Sequence, residues 1–493
     1  MMRAVGSSLG SWRSIERQER TKGVHGLCFS LAVVAEIGRE HGLAMRAEES
    51  LDEPREACGY DAVFISVLDS RCMVETARSF REWGIPLRRR QRGPDYPVIW
   101  AGGQGLHNPM PYAEVADLIV VGDAEGPLPE LLAAWHRHGP GSGFLAAAAT
   151  IQGVYVPAYH DPSEAVIVQS VAKRFPASVK TPIRINLDTT RRIEIARGCR
   201  YSCAFCGLGW RAPYRELDTD VLLDALRADG GKHVHLQAGD AESHSGISSL
   251  RACIAELGGR DQGWTGRLDS VDLDVGVPAT KRFAFGVEGV SHRLRRAVGK
   301  GALTDDFLTD STVAVLDAVQ GEGQGRTAWH IIAGLPTQRL AEARDLAAVV
   351  RRIGMARLTG VRRNLAIHIQ PFQPLPGTPL QWCSVGRGAR ILARMIGDVP
   401  PHSSLHVWTQ AGRSDRMAAI CTILSRAGPS AVALLDALGS GDVSPRDACA
   451  LAETSFGALD LDEPLPWGWI SYSTAESILR KAHGVAMRRL AEQ

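Results

Sequence analysis

Short, wholly apolar runs alternate with segments whose apolar positions recur at helical spacing, and the pairing repeats along most of the chain. The first pattern describes buried strands and the second amphipathic helices. In the N-terminal third, Val24–Phe29, Asp61–Leu68, Pro97–Ala101 and Leu118–Val121 read as strands. Leu31–Glu40, Val74–Trp83 and Leu128–His136 read as helices beside them. Residues 1–22 are polar and basic without a period, and a loose arm is expected there. Strand–helix alternation predicts a parallel, doubly wound α/β sheet whose ligands sit beyond the carboxyl ends of the strands. Gly102-Gly103 and Gly122-Asp123 fall at two such ends.

Gly139-Pro140-Gly141-Ser142-Gly143 interrupts the pattern, and Lys173 to Thr189 alternates polar and apolar residues around Pro176 and Pro182, as a linker or edge hairpin would. Beyond a cysteine-bearing loop the alternation resumes. Val221–Ala228 is a helix and His233–Ala238 a strand; Ile247, Leu250, Ile254 and Leu257 mark another helix face. Val271–Val275, Arg282–Val287, Ala328–Ala333 and Leu365–Ile369 are strand-like, and Thr304 is a suitable N-cap for the helix carrying Phe307, Val315 and Leu316. Counting the strand before the cysteines gives six βα units, a partial barrel whose reactive end is the carboxyl end of its strands. From Arg387 onward the chain reads as mainly helical, through Arg416–Ala427 and Ser430–Leu438. The expected regions are 1–165, 166–385 and 386–493.

Composition narrows this little. Hydrophobic residues at 45% and charged ones at 22% fit a soluble protein with ample core, and the net charge of +2 demands no nucleic-acid or membrane partner. No apolar run is long enough to span a bilayer and no secretory signal opens the chain, so a cytoplasmic protein is expected. The one dense basic run, Arg88-Arg89-Arg90-Gln91-Arg92, reads as a solvated loop in preference to a nucleic-acid contact.

The chemistry concentrates in Ile193–Gly207, which sets Cys199, Cys203 and Cys206 in C-x₃-C-x₂-C spacing directly after a strand. Half a zinc site, a disulfide element and an iron–sulfur loop are all open to such a triplet. Zinc sites usually draw four ligands from C-x₂-C pairs, and no second pair exists, because Cys28, Cys58, Cys72, Cys253, Cys383, Cys421 and Cys449 are scattered singly. A disulfide is disfavoured in a reducing compartment. Iron–sulfur clusters take four thiolates as a rule, so a loop that offers three leaves one iron open to a ligand.

With Arg197-Gly198 ahead of the first cysteine and Phe205 before the last, the loop resembles the signature of radical S-adenosylmethionine (SAM) enzymes. The resemblance implies a [4Fe–4S] cluster on Cys199, Cys203 and Cys206, with SAM on the open iron and cleaved reductively to a 5′-deoxyadenosyl radical. Gly239-Asp240-Ala241-Glu242 stands where that superfamily has its Gly-Gly-Glu motif, and departs from it. Glu288, in Phe285–Ser291, is implied at the SAM or substrate end, with a helix-capping carboxylate as the alternative. Gly334-Leu335-Pro336 resembles the strand end along which the adenine packs. The implied cofactor-binding residues are therefore Phe205, Gly239, Asp240, Glu288, Gly334 and Pro336.

The run Pro97–Gly103, Asn108–Pro111 and Val121–Glu125 resembles the cobalamin-binding-type domain that precedes the cluster domain in one subgroup, and Leu465–Ile470 resembles that subgroup's tail. The cobalt-ligating Asp-x-His-x-x-Gly loop is absent, although some members bind cobalamin without it. The implied architecture is an N-terminal Rossmann-like domain, a partial (β/α)6 radical SAM barrel and a helical C-terminal region. The implied activity is radical chemistry on an unidentified substrate, with methyl or related group transfer to an unactivated carbon and cobalamin as a further cofactor. An external one-electron donor of flavodoxin or ferredoxin type would serve it. Methylthiotransferase-like sulfur insertion into RNA or protein, and a non-catalytic iron–sulfur or zinc scaffold or sensor, are the rival readings. His233, His235, His330 and His368 lie on or beside the strands, where core histidines outnumber acting ones, and Cys383 reads as a buried thiol.

Overall fold

The computed structural model describes residues 1–7, 27–48, 53–164, 166–180, 191–229, 233–261, 264–271, 282–318, 326–356, 363–397 and 405–492. The chain divides into two compact units. One comprises Met1–Asp188, Ala419–Phe456 and Asp460–Ala475, the other Thr189–Ala418, Gly457–Leu459 and Glu476–Gln493. The helical region 386–493 is thus shared between them.

In the first unit, β1 (Met2–Ser7), β2 (Leu43–Ala47), β3 (Ala62–Ser66), β4 (Val98–Gly102), β5 (Leu118–Val120) and β6 (Val154–Tyr155) form one sheet in the order β2-β1-β3-β4-β5-β6. All neighbours pair in parallel except β5 and β6. The expected doubly wound alternation is there, but its first strand is not. Met2–Ser7, expected as a loose arm, is the interior strand β1, paired on both sides by β2 and β3, and Phe29, expected to end a strand, begins the helix Phe29–Glu40. Residues 24–26 lie outside the described set.

Met2, Ala4 and Val5 are buried, and a Cβ on Gly6 would stand 2.7 Å from Leu27 Cδ2 and 2.9 Å from Met45 Sδ. Side chains from the segment entering the helix and from β2 therefore close over β1 at the one residue without a side chain. The helix Ser70–Trp83 starts with Asp69 accepting from the Arg71 N–H at 2.8 Å and ends at Gly84, φ 73°. Over the sheet, Trp100 stacks on Phe144 with centroids 5.4 Å apart and lies 4.7 Å from Phe64. The C-terminal helix Ala431–Ser440 packs on Ser70–Trp83, with Gly439 placed so that a Cβ would touch Ala77 Cβ at 3.3 Å. β7 (Ile167–Val168) pairs in parallel with Ile470–Ser471.

The basic run is not a solvated loop. Arg89 donates to the Ala113 carbonyl and Arg90 pairs with Glu114, while the Arg92 side chain is 3% exposed. Arg92 donates to the Pro86, Leu87 and Val115 carbonyls and to Asp117. These guanidiniums satisfy loop carbonyls and acidic neighbours; Arg90 alone is largely exposed, at 73%.

The second unit begins with β8 (Arg191–Glu194) and the short antiparallel pair β9 (Ala196–Arg197) and β10 (Arg215–Glu216). β11 (His233–Gln237) and β12 (Arg260–Asp261) join β8 in a parallel sheet ordered β12-β11-β8. β13 (Trp264–Gly266), β14 (Arg282–Glu288), β15 (Arg326–Ala333), β16 (Arg363–Pro371) and β17 (Leu405–Ala411) form a five-stranded parallel sheet in sequence order. Helices Thr219–Asp229, Ile247–Glu256, Asp305–Ala318, Ala343–Met355 and Ala389–Gly397 alternate with these strands. Thr304 caps as expected, its hydroxyl accepting from the Phe307 N–H at 3.1 Å.

The expected strand Val271–Val275 lies outside the described residues but for Val271, and the short β12 and β13 precede β14 among the described ones. One expected element changes. β17 is an extra strand in a stretch expected to be helical. Its residues alternate between faces, a signal weakened because only Leu405 is fully buried.

Residues Phe283, Phe285, Val287, Trp329, Ile331, Ala333, Leu365, Ile367 and Ile369 form the buried face of these strands, packed with Leu346, Val349, Val350, Leu392 and Ile396 of the helices. Strand side chains alternate between faces. The opposite face therefore carries Gly286 and, beside it, Glu288, His330, His368, Trp408 and Gln410, whose side chains are polar or carry a polar group.

Candidate active site

The cysteine loop leaves β9 at Gly198, φ 74°, and returns through β10. A Cβ on Gly198 would stand 2.6 Å from the Pro213 carbonyl oxygen, so the closed base of the loop requires glycine. Glu216 at that base accepts from Ser245, Tyr214 and Arg200. Burial works to raise its pKa, but those hydrogen bonds prevail and hold it at about 2.

Within the loop the Cys206 N–H donates to the Cys203 carbonyl at 3.1 Å, and Trp210 Nε1 donates to the same oxygen at 3.0 Å. Ala204 donates to Val298 and accepts from Leu380, tying the loop to the rest of the unit. Phe205 packs against the hydrophobic core. All three thiols are free, and Cys203 is 8% exposed.

Burial pushes each of the three thiols up, Cys206 to about 11. Lys300 and Arg267 act the other way on Cys199 and Cys203, whereas Glu288 raises Cys203 and Cys206. Three desolvated thiols with two cations in electrostatic range suit a bound metal centre, since coordination removes the thiol proton that burial retains. Among the described residues, no three His, Cys, Asp or Glu side chains form a group that could hold a single metal ion.

Five of the expected cofactor-binding residues, Gly239, Asp240, Glu288, Gly334 and Pro336, lie at strand ends or the turns that follow them. A Cβ on Gly239 would lie 2.8 Å from the Gly198 carbonyl oxygen and 3.6 Å from Cys199 Cβ, so this strand end abuts the first cysteine. Asp240, 2% exposed, accepts at Oδ1 from the Arg267 N–H at 3.1 Å and Ser270 Oγ at 2.9 Å, and at Oδ2 from Ser243 Oγ at 2.6 Å. Its carboxylate braces the turn after β13. Gly334, φ 76°, lies against Gly386 Cα at 2.6 Å from its would-be Cβ, and Gln338 Oε1 accepts from its N–H at 2.8 Å. Leu335 and Pro336 complete that turn, and Thr337 follows at φ 62°.

Glu288 is the strained residue of the group, non-glycine at φ 65° with a register shift between it and Gly286. It meets Lys300 Nζ at 3.2 Å, and Lys300, 4% exposed, also donates to the Gly286 carbonyl at 2.6 Å. The capping alternative does not hold, because Ser291 is the N-cap of His292–Ala297 and accepts from the Leu294 N–H.

From this pair a polar row runs across the sheet. Gly286, His330, His368 and Gln410 are register partners on β14, β15, β16 and β17. The imidazoles of His330 and His368 stack with centroids 5.5 Å apart, and His368 meets Trp408 edge-on at 5.4 Å. Burial lowers the pKa of both histidines, and His330 is lowered further by His368 and Lys300. Both are therefore neutral near pH 7, with ring nitrogens able to donate and accept. Of the other candidates, His233's side chain lies outside the described residues, and Cys383 is a buried core thiol 4.0 Å from Met487 Sδ.

Arg267 and Trp408 contact candidate residues, Cys203 and His368, and the sequence did not mark them. Arg267 Nη1 donates to Cys203 Sγ at 3.2 Å, a contact across 64 residues that no local pattern encodes. Cys28, Cys58 and Cys72 contact Ser30, the Trp83 carbonyl and the Leu68 N–H respectively.

Residues 30–157 match the family model for the N-terminal region of radical SAM proteins. Among solved structures, the chain is similar to the radical S-adenosylmethionine methyltransferase TsrM from Kitasatospora setae, bound to tryptophan substrate and the SAM analogue aza-SAM. The likeness has a TM-score of 0.52 at 15% identity and covers 78% of this chain and 75% of that one. It establishes a shared mixed α/β fold. No protein of curated function matches the sequence. Among the described residues, no helix is long and apolar enough to cross a membrane.

Proposed function

We propose that this chain is a radical SAM enzyme that transfers a methyl or related group to an unactivated carbon. The observation that carries the reading is the convergence at one loop: three free, desolvated thiols, Cys199, Cys203 and Cys206, with Arg267 and Lys300 in electrostatic range. The family-model match ahead of the loop and the TsrM-like fold support it. A [4Fe–4S] cluster held there would supply the electron that cleaves SAM.

The chain's own residues would do the rest. Gly239 leaves room beside Cys199, and the turn at Gly334–Pro336 forms another strand end for SAM. Lys300 would offset part of the negative charge of the Cys199 and Cys203 thiolates and of Glu288. His330, His368, Trp408 and Gln410 would receive the acceptor, offering neutral imidazoles and an indole that is 39% exposed. An external flavodoxin- or ferredoxin-type protein would deliver electrons.

The first unit is the cobalamin-type domain in this reading. Beyond its strand ends Ser30 and Ser66 hydroxyls lie 2.9 Å apart beside Cys28, and Gly103, φ 115°, follows the end of β4. These groups suit hydrogen bonds to the amide-bearing edge of a corrin, which would act as methyl carrier; without an Asp-x-His-x-x-Gly loop they do not ligate cobalt. Anaerobically reconstituted protein is expected to form 5′-deoxyadenosine from SAM and dithionite. Failure of a cluster-loaded chain to do so would overturn the reading. Cobalamin retained through purification tests the assignment of the first unit separately.

A further inference from the structure

Arg267 lies outside every motif, yet its guanidinium is committed on all sides. Nε and Nη2 donate to the two oxygens of Asp269 at 2.9 and 2.6 Å. Nη1 donates to Cys203 Sγ at 3.2 Å and to the Gly299 carbonyl at 3.1 Å. The Tyr201 ring lies under the guanidinium carbon at 4.1 Å, and Asp240 fixes the residue's backbone N–H. The residue is 7% exposed. A structural brace needs only the Asp269 fork and the carbonyl bond. The remaining donor is aimed at one sulfur of three, and the fork, the ring and the backbone bond leave it little freedom to turn away.

We propose that Arg267 is a positioning residue that holds a charged hydrogen bond on Cys203 Sγ and thereby raises the reduction potential of the cluster bound there. The proposal rests on the radical SAM reading above. Hydrogen bonds to cluster sulfurs and nearby charge set such potentials. One electron from an external reductant enters the cluster with no bond made or broken, so the reduced state is one unit more negative. A permanent cation against a ligating sulfur favours that state, and arginine cannot lose its proton to evade the role.

The test is an electron-paramagnetic-resonance redox titration of reconstituted full-length protein, with dithionite and mediators. Arg267→Gln is expected to bind a full complement of iron and to shift the one-electron equilibrium at least tenfold toward the oxidised state, ~59 mV more negative. Arg267→Lys, which keeps the charge without the fork, should fall between. A wild-type potential in fully loaded Arg267→Gln overturns the role of Arg267 alone, whereas a wild-type chain that takes up no cluster overturns the enzyme reading with it. If Arg267→Gln binds no iron, ¹⁵N-arginine labelling of the wild type decides. A guanidinium nitrogen hyperfine coupling to the reduced cluster supports the bond, and its absence overturns it.

Discussion

Replacing Lys300 by Met keeps the unbranched stem of the side chain and removes the ammonium and its charge, which isolates what the ammonium does. Lys300 and Glu288 side chains are 5% and 13% exposed, with Nζ and Oε1 3.2 Å apart. At an effective dielectric of about 20, two charges at that distance attract by roughly 5 kcal/mol. Desolvation of both ions offsets much of this, so the pair as a whole adds little to stability. Removing one partner is different. It leaves a nearly buried carboxylate uncompensated and the Gly286 carbonyl without its donor, at a cost of about 3–5 kcal/mol. The double variant Glu288→Gln with Lys300→Met should recover most of that loss, because neither charge then remains. Urea unfolding of the cluster-free chain, followed by tryptophan fluorescence, measures both. A single variant within about 1 kcal/mol of wild type, or a double variant no more stable than Lys300→Met, would refute the reasoning.

Further outcomes follow from the same geometry. Gly239→Ala sets a methyl 2.8 Å from the Gly198 carbonyl oxygen, and iron uptake on reconstitution should fall while the circular dichroism spectrum holds. His330 and His368 titrate below 6.5 in the folded chain, so as pH falls through 6.5 the unfolded chain takes up protons first and stability is lost. Replacing both by Asn should flatten the fall in melting temperature below pH 6.5. Trp408→Ala should lower acceptor turnover, read as methylated product, while leaving 5′-deoxyadenosine formation within about twofold, since the indole lies along the row and away from the cysteines.

Where a largely apolar strand is followed by an amphipathic helix, as at Ala62–Ser66 with Ser70–Trp83 or at Arg326–Ala333 with Ala343–Met355, the pattern alone locates both elements within a few residues. Strands read poorly where burial does not imprint on composition. Met2–Ser7 lies inside its sheet between β2 and β3, but Arg3 and Gly6 interrupt its apolar run. Leu405–Ala411 presents one face that is half exposed and reads as polar. The cysteine loop and the glycine-bearing strand ends were legible because their residue types are unusual at that spacing. The partners that act on them were not. Arg267 reaches Cys203, and Lys300 reaches Glu288, through the turn after β13 and the loop after a six-residue helix. Asp240 illustrates the converse, a residue legible by position whose carboxylate is taken up by Arg267, Ser243 and Ser270.

The central claim is that Cys199, Cys203 and Cys206 hold a four-iron cluster. Iron and acid-labile sulfide, measured after anaerobic reconstitution and desalting, test it most directly. The account predicts about four of each per wild-type chain, falling to background when Cys203 alone is changed to Ala. Stoichiometric zinc in place of iron and sulfide, or a cluster that survives Cys203→Ala intact, would contradict it.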